Sequence, residues 1–159
     1  MIPLLYVLWG KPLLRSSLFV AAAITDWLDG FIARKQHLVS RFGAFLDPVA
    51  DKLLVATTLV LLSSECGIRV GAPSALIISR EIGVSALREW MSEMGARDVL
   101  KVGAAGKVKT ATQLVSLAIL LLRPESAVGL LLLRVAALAT IYSGWQYLRA
   151  AYPSLVAGG

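Results

Sequence analysis

The sequence predicts an all-α protein, a polytopic membrane bundle of six transmembrane helices with the first one truncated. Three observations carry that expectation. Of 159 residues, 57% are hydrophobic and only 16% charged, with a mean hydropathy of +0.74. The apolar residues fall in runs close to the roughly 20 that a spanning helix needs, leaving room for about five to six spans and little else. Short segments of Gly, Pro, Lys and Arg separate the runs, as in chains that cross a bilayer repeatedly. One domain, residues 1–159, accommodates them all.

Taken in order, residues 2–9 are apolar but would rise only about 12 Å as a helix. The chain is therefore expected to begin partway through its first membrane helix. Gly10, Lys11 and Pro12 form a break. A second helix is expected over about residues 17–35, carrying Asp26 and Asp29 in its second half. After a short basic loop, a third should run over about 41–64, polar at its start and apolar at its end. Residues 64–73, with Glu65, Gly67, Arg69 and Gly71, read as a turn. A fourth helix, about 75–94, starts apolar and then carries Arg80, Glu81, Arg88 and Glu89. The stretch 95–106 is the longest polar connection. The fifth helix opens at about residue 106 and ends at Arg123 before Pro124, and the sixth covers about 127–150.

The net charge of +6 does not indicate nucleic acid, because the basic residues lie in short loops between apolar runs. Anionic lipid headgroups and phosphate-bearing substrates are the expected counter-charges. Lys and Arg total nine on the side of the 2–3 and 4–5 loops and four on the other. The positive-inside bias then turns those loops toward the cytoplasm of a bacterium, or the stroma or matrix of an organelle. The lone Cys66 excludes an internal disulfide and reads as a small residue at a helix end.

Against this background, four carboxylates stand out. Asp26 and Asp29 are three apart, Asp47 and Asp51 four apart, so each pair shares one helix face. The two helices should lie antiparallel, which puts both pairs roughly 8 to 15 Å below the connecting loop. Ionisable groups inside membrane segments are costly and mark functional sites. Ion pairing with Arg34, Lys35, Arg41 and Lys52 is the structural alternative, but two facing pairs at matched depth favour a shared cation site. Four oxygen donors, with no thiolate or imidazole beside them, suit two hard divalent ions such as Mg²⁺ or Mn²⁺. Divalent ions beside Arg and Lys at a membrane surface point to phosphoryl chemistry on a diphosphate.

The spacing D-x2-D-G-x2-A-R-x8-G-x3-D-x3-D places Asp26, Asp29, Gly30, Ala33, Arg34, Gly43, Asp47 and Asp51 in 26 residues. It resembles the signature of the CDP-alcohol phosphatidyltransferase family. That resemblance implies attack of an alcohol on the β-phosphorus of a CDP-linked lipid, with CMP leaving. It implies metal ligation by Asp26, Asp29, Asp47 and Asp51, with Asp51 also the general base. Asp29, Gly30, Ala33, Arg34 and Gly43 would bind the CDP-lipid. The family's Asn…Thr…Arg pattern in the first half of helix one has no counterpart here, so part of the nucleotide or lipid site is expected to lie outside this sequence. Members are often dimers, so a homodimer is possible.

Residues 78–90 (ISREIGVSALREW) and 106–113 (GKVKTATQ) resemble the branch of that family whose acceptor is sn-glycerol 3-phosphate and whose donor is CDP-diacylglycerol. Arg80, Arg88, Lys107 and Lys109 would bind the acceptor phosphate. Taken singly, Arg80 beside Glu81 also fits an internal ion pair, and Arg88 and Lys107 also fit side chains that snorkel to headgroups. Sibling acceptors (inositol phosphate, phosphatidylglycerol, serine), a divalent-cation transporter and a non-catalytic truncated relative are the alternatives. A transporter would spread its carboxylates along a path across the bilayer, whereas these cluster at one end. Arg134, inside the apolar run GLLLLRVAAL, has no assigned role.

Overall fold

A computed structural model describes the backbone of residues 10–36, 41–95 and 104–157, and side chains at 10–25, 28, 49–95 and 109–153. Five helices make up this part: α1 (Pro12–Gln36), α2 (Arg41–Cys66), α3 (Ile68–Glu93), α4 (Ala104–Leu122) and α5 (Ala127–Ala157). They correspond to the expected second through sixth helices. The expected first helix lies outside the described residues, as does the loop at 37–40.

Two boundaries differ from expectation for clear reasons. Pro12 starts α1 instead of delaying it, since a proline in the first turn gives up only an N–H that has no intrahelical partner. The turn expected over 64–73 is one residue long. Gly67 takes φ 63°, a left-handed conformation open to glycine without a Cβ penalty. Its N–H donates to the Ser63 carbonyl at 2.9 Å, and its own carbonyl accepts from Val70 and Gly71 at 3.2 and 2.9 Å. One residue thus ends α2 and opens α3. Pro73, early in α3, costs a single backbone hydrogen bond and does not stop the helix.

Because α2 and α3 turn back on each other at Gly67, and α4 and α5 at Pro124, the bundle has two distinct ends. The end at these turns is held by Arg15, whose side chain is 2% exposed. Its Nε donates to the Leu121 carbonyl at 2.6 Å and its Nη1 to Glu65 Oε2 at 2.9 Å, joining α1, α2 and α4. Ser16 Oγ adds a bond to the Ala118 carbonyl. Removing one member of such a desolvated pair strands the rest. Arg15→Met is therefore expected to lower unfolding stability by about 3 kcal/mol, read as a drop in melting temperature, while the surviving folded protein keeps its substrate affinities. Cys66 sits at the same end with its thiol toward the Pro124 carbonyl.

Between the ends, Phe19, Leu59, Leu62, Ile77, Leu117 and Leu133 form a shared apolar core. The outer faces are apolar too, with Val60, Ile82, Val115, Leu131 and Leu138 all exposed, a surface suited to lipid and not to water. Among the described residues, α3 and the stretch Ala127–Pro153 of α5 are long and apolar enough to cross a membrane. Exposed Trp90, Trp145 and Tyr152 lie toward the end away from the turns, where amphipathic aromatics anchor membrane proteins at the headgroup level. Arg134 is exposed on the outer face of α5.

Candidate active site

The residues singled out from the sequence collect at the end opposite Arg15. α1 runs toward that end, so its later turns carry Asp26, Asp29, Gly30, Ala33 and Arg34 there. α2 runs away from it, and its first turns carry Gly43 and Asp47. These seven are placed on their helices, but their side chains lie outside the described residues. Asp51 follows one turn after Asp47 and is exposed.

Asp51 opens onto a cleft of about 430 Å³ between α2, α3 and α4. Lys52, Glu81, Ser85 and Thr110 share its polar mouth, while Val55, Ala56, Leu59 and Ile77 form apolar walls. Lys52 Nζ donates to Ser85 Oγ at 2.5 Å, pinning α2 to α3 beside Asp51. An acidic side chain at the mouth of a mostly apolar cleft can take a proton from a substrate bound there.

Behind the mouth lies the basic cluster. Glu81 Oε1 accepts from Arg80 Nη1 at 3.2 Å and from Lys109 Nζ, so one carboxylate bridges α3 and α4. The Lys109 side chain is 3% exposed, and its charge is met by Glu81. Arg80 also donates to Ser143 Oγ of α5 at 2.6 Å. Gly144 permits that approach, because a Cβ there would stand 3.3 Å from Arg80 Cγ. Arg88, one level further out, is exposed and donates to the Tyr147 hydroxyl at 2.5 Å. Lys107 is within α4, its side chain outside the described residues. The structure thus brings Arg80, Arg88 and Lys109 to one end of the bundle, and the ion pair between Arg80 and Glu81 is real.

Sequence reasoning did not single out Ser143, Tyr147 or the Lys52–Ser85 link. Ser143 and Tyr147 are four apart on α5, which puts two polar groups on one face. That spacing was the available signal. As for a metal, among the described residues no three carboxylate, imidazole or thiolate side chains converge. The donor set at this end is carboxylate oxygen, with Asp51 accessible at the cleft, and that chemistry fits a hard divalent cation.

The helices thus form a bundle with apolar outer faces and a polar-mouthed cleft near one end. The chain belongs to the CDP-alcohol phosphatidyltransferase family, whose model matches residues 1–144, and it is an α-helical membrane protein. Among curated relatives, the CDP-diacylglycerol–glycerol-3-phosphate 3-phosphatidyltransferase of Pectobacterium atrosepticum is 49% identical over 149 residues, covering 91% of this chain and 82% of that protein. The proteins of the same name from Sodalis glossinidius and Salmonella typhimurium are each 50% identical, covering 88% and 91% of this chain and 79% and 82% of their own.

Proposed function

We propose that this protein transfers the phosphatidyl group of CDP-diacylglycerol to sn-glycerol 3-phosphate, giving phosphatidylglycerophosphate and CMP. The observation that carries the reading is the identity of about half over most of the chain with enzymes bearing that name. The cleft supports it independently, since its apolar walls suit a lipid and its basic surroundings a phosphate.

In this reading the glycerol hydroxyl oxygen attacks the β-phosphorus of the donor. The bond from that phosphorus to the bridging oxygen breaks, and CMP departs with the bond's electrons. Asp51, open to the cleft, takes the proton of the attacking hydroxyl. Asp26, Asp29, Asp47 and Asp51 would hold two Mg²⁺ or Mn²⁺ ions, which supply charge neutralisation at the diphosphate when bound. Asp29, Gly30, Ala33, Arg34 and Gly43 bind the CDP-lipid, where small residues admit a flat base and the guanidinium pairs with phosphate oxygens.

Arg80 and Arg88, with Lys107, bind the acceptor's phosphate. Lys109 supports the same site as the partner of Glu81. In this reading the chain is a single domain, and the first span expected from the sequence would bring the spans to six. Its active site faces the cytoplasm, stroma or matrix, and a homodimer is compatible with the apolar outer faces.

A panel of acceptors tests the reading. Purified protein in mixed micelles with CDP-dioleoylglycerol is given glycerol 3-phosphate, inositol phosphate, serine or phosphatidylglycerol, and lipid products are identified by mass spectrometry. Phosphatidylglycerophosphate from the first alone is expected. Product from inositol phosphate but none from glycerol 3-phosphate would overturn the acceptor assignment.

A further inference from the structure

Two arginines that serve one phosphate face a problem before the phosphate arrives, because like charges repel and long side chains wander. Arg80 and Arg88 are eight residues apart on α3, roughly 12 Å along its axis. Yet the guanidinium carbons of both lie near one ring, at 5.3 Å and 5.0 Å from the Tyr147 centroid. The electron-rich ring attracts both cations, and its hydroxyl accepts a hydrogen bond from Arg88. The ring is itself fixed, packing against the buried cluster of Leu87, Met91 and Ala151. Ser143, one turn earlier on α5, holds the far nitrogen of Arg80. Arg80 Nε is buried and has no hydrogen-bond partner among the described residues.

Resting on the acceptor assignment above, we infer that Tyr147 is a positioning residue for acceptor recognition: its ring and hydroxyl hold Arg80 and Arg88 as a preorganised clamp for the acceptor's phosphate. Tyr147 does not touch the reacting atoms. Its effect passes through the two arginines, whose ordering is complete before the acceptor binds, so binding does not have to supply it. The consequence is selective. Acceptor affinity depends on Tyr147, whereas donor affinity and the chemical step do not.

The test is steady-state kinetics of Tyr147→Phe and Tyr147→Leu with both substrates varied. Tyr147→Phe keeps the ring and loses the bond to Arg88, so KM for glycerol 3-phosphate should rise about threefold. Tyr147→Leu loses ring and bond together, so that KM should rise about tenfold or more. In both, kcat and KM for CDP-diacylglycerol should stay within about twofold, the pattern of lost uniform binding. The graded order, with phenylalanine rescuing part of the loss, separates positioning from bulk packing.

An unchanged acceptor KM in both variants overturns the inference. So does an equal loss in kcat and both KM values, which is what damage to the helix packing would give. Should the leucine variant not fold, Tyr147→Phe alone decides by the same acceptor KM. Wild-type protein that forms no phosphatidylglycerophosphate defeats the functional reading itself and this inference with it. An active wild type with unresponsive variants defeats the inference only.

Discussion

Asp51→Asn is expected to reduce phosphatidyl transfer by at least three orders of magnitude, roughly the upper range for loss of a general base. The asparagine amide matches the carboxylate in size, so the cleft keeps its shape and the Lys52–Ser85 bond beside it its geometry. What disappears is the ability to take the acceptor's proton, together with one anionic oxygen donor for a divalent ion. The two roles separate by measurement. If Asp51 acts chiefly as base, Mn²⁺ binding followed by paramagnetic resonance should fall only in part while turnover vanishes. Turnover within about tenfold of wild type would remove Asp51 from the base role.

Glu81→Gln should have the largest effect on stability. Glu81 is the common partner of Arg80 and Lys109, and the Lys109 side chain is almost entirely buried. Glutamine retains the shape and a carbonyl acceptor but removes the negative charge, leaving a buried ammonium with its principal counter-charge gone. Breaking a buried pair from one side costs about 3–5 kcal/mol, which for a chain of this size lowers the melting temperature by roughly 10 °C. Tryptophan-fluorescence melting in detergent reads the shift. The double variant Glu81→Gln, Lys109→Met should recover much of it, because the buried ammonium is gone and Arg80 keeps its bond to Ser143. If the double variant is as unstable as the single one, the pair is not what links α3 to α4 there.

Much of the site could be read from sequence because its strongest signal is local. The aspartates at spacings of three and four need only a helix to share a face, and α1 and α2 provide one each. The apolar runs likewise indicated which segments are helical, since runs of about 20 apolar residues suit helices, which satisfy their backbone groups within the segment. Less legible was anything decided by a single residue's φ or by contacts between distant helices. Glu65, Gly67, Arg69 and Gly71 all marked the expected 64–73 turn, yet only Gly67 breaks the helix. Pro73, a breaker by composition, falls early enough in α3 to be tolerated. Lys109 read as a ligand-binding cation, and only the structure shows its charge engaged by Glu81 of α3. Tyr147 lies 59 residues from Arg88 along the chain, a separation at which spacing arguments carry no information.

The central claim is that the aspartates at the α1–α2 end run a divalent-metal-dependent phosphatidyl transfer. Its most direct test is the release of CMP by purified protein supplied with CDP-diacylglycerol and glycerol 3-phosphate, measured with excess EDTA and then with Mg²⁺ or Mn²⁺ restored. The account predicts CMP equimolar with phosphatidylglycerophosphate, abolished by the chelator and recovered with either ion. CMP release that continues unchanged in EDTA would contradict it.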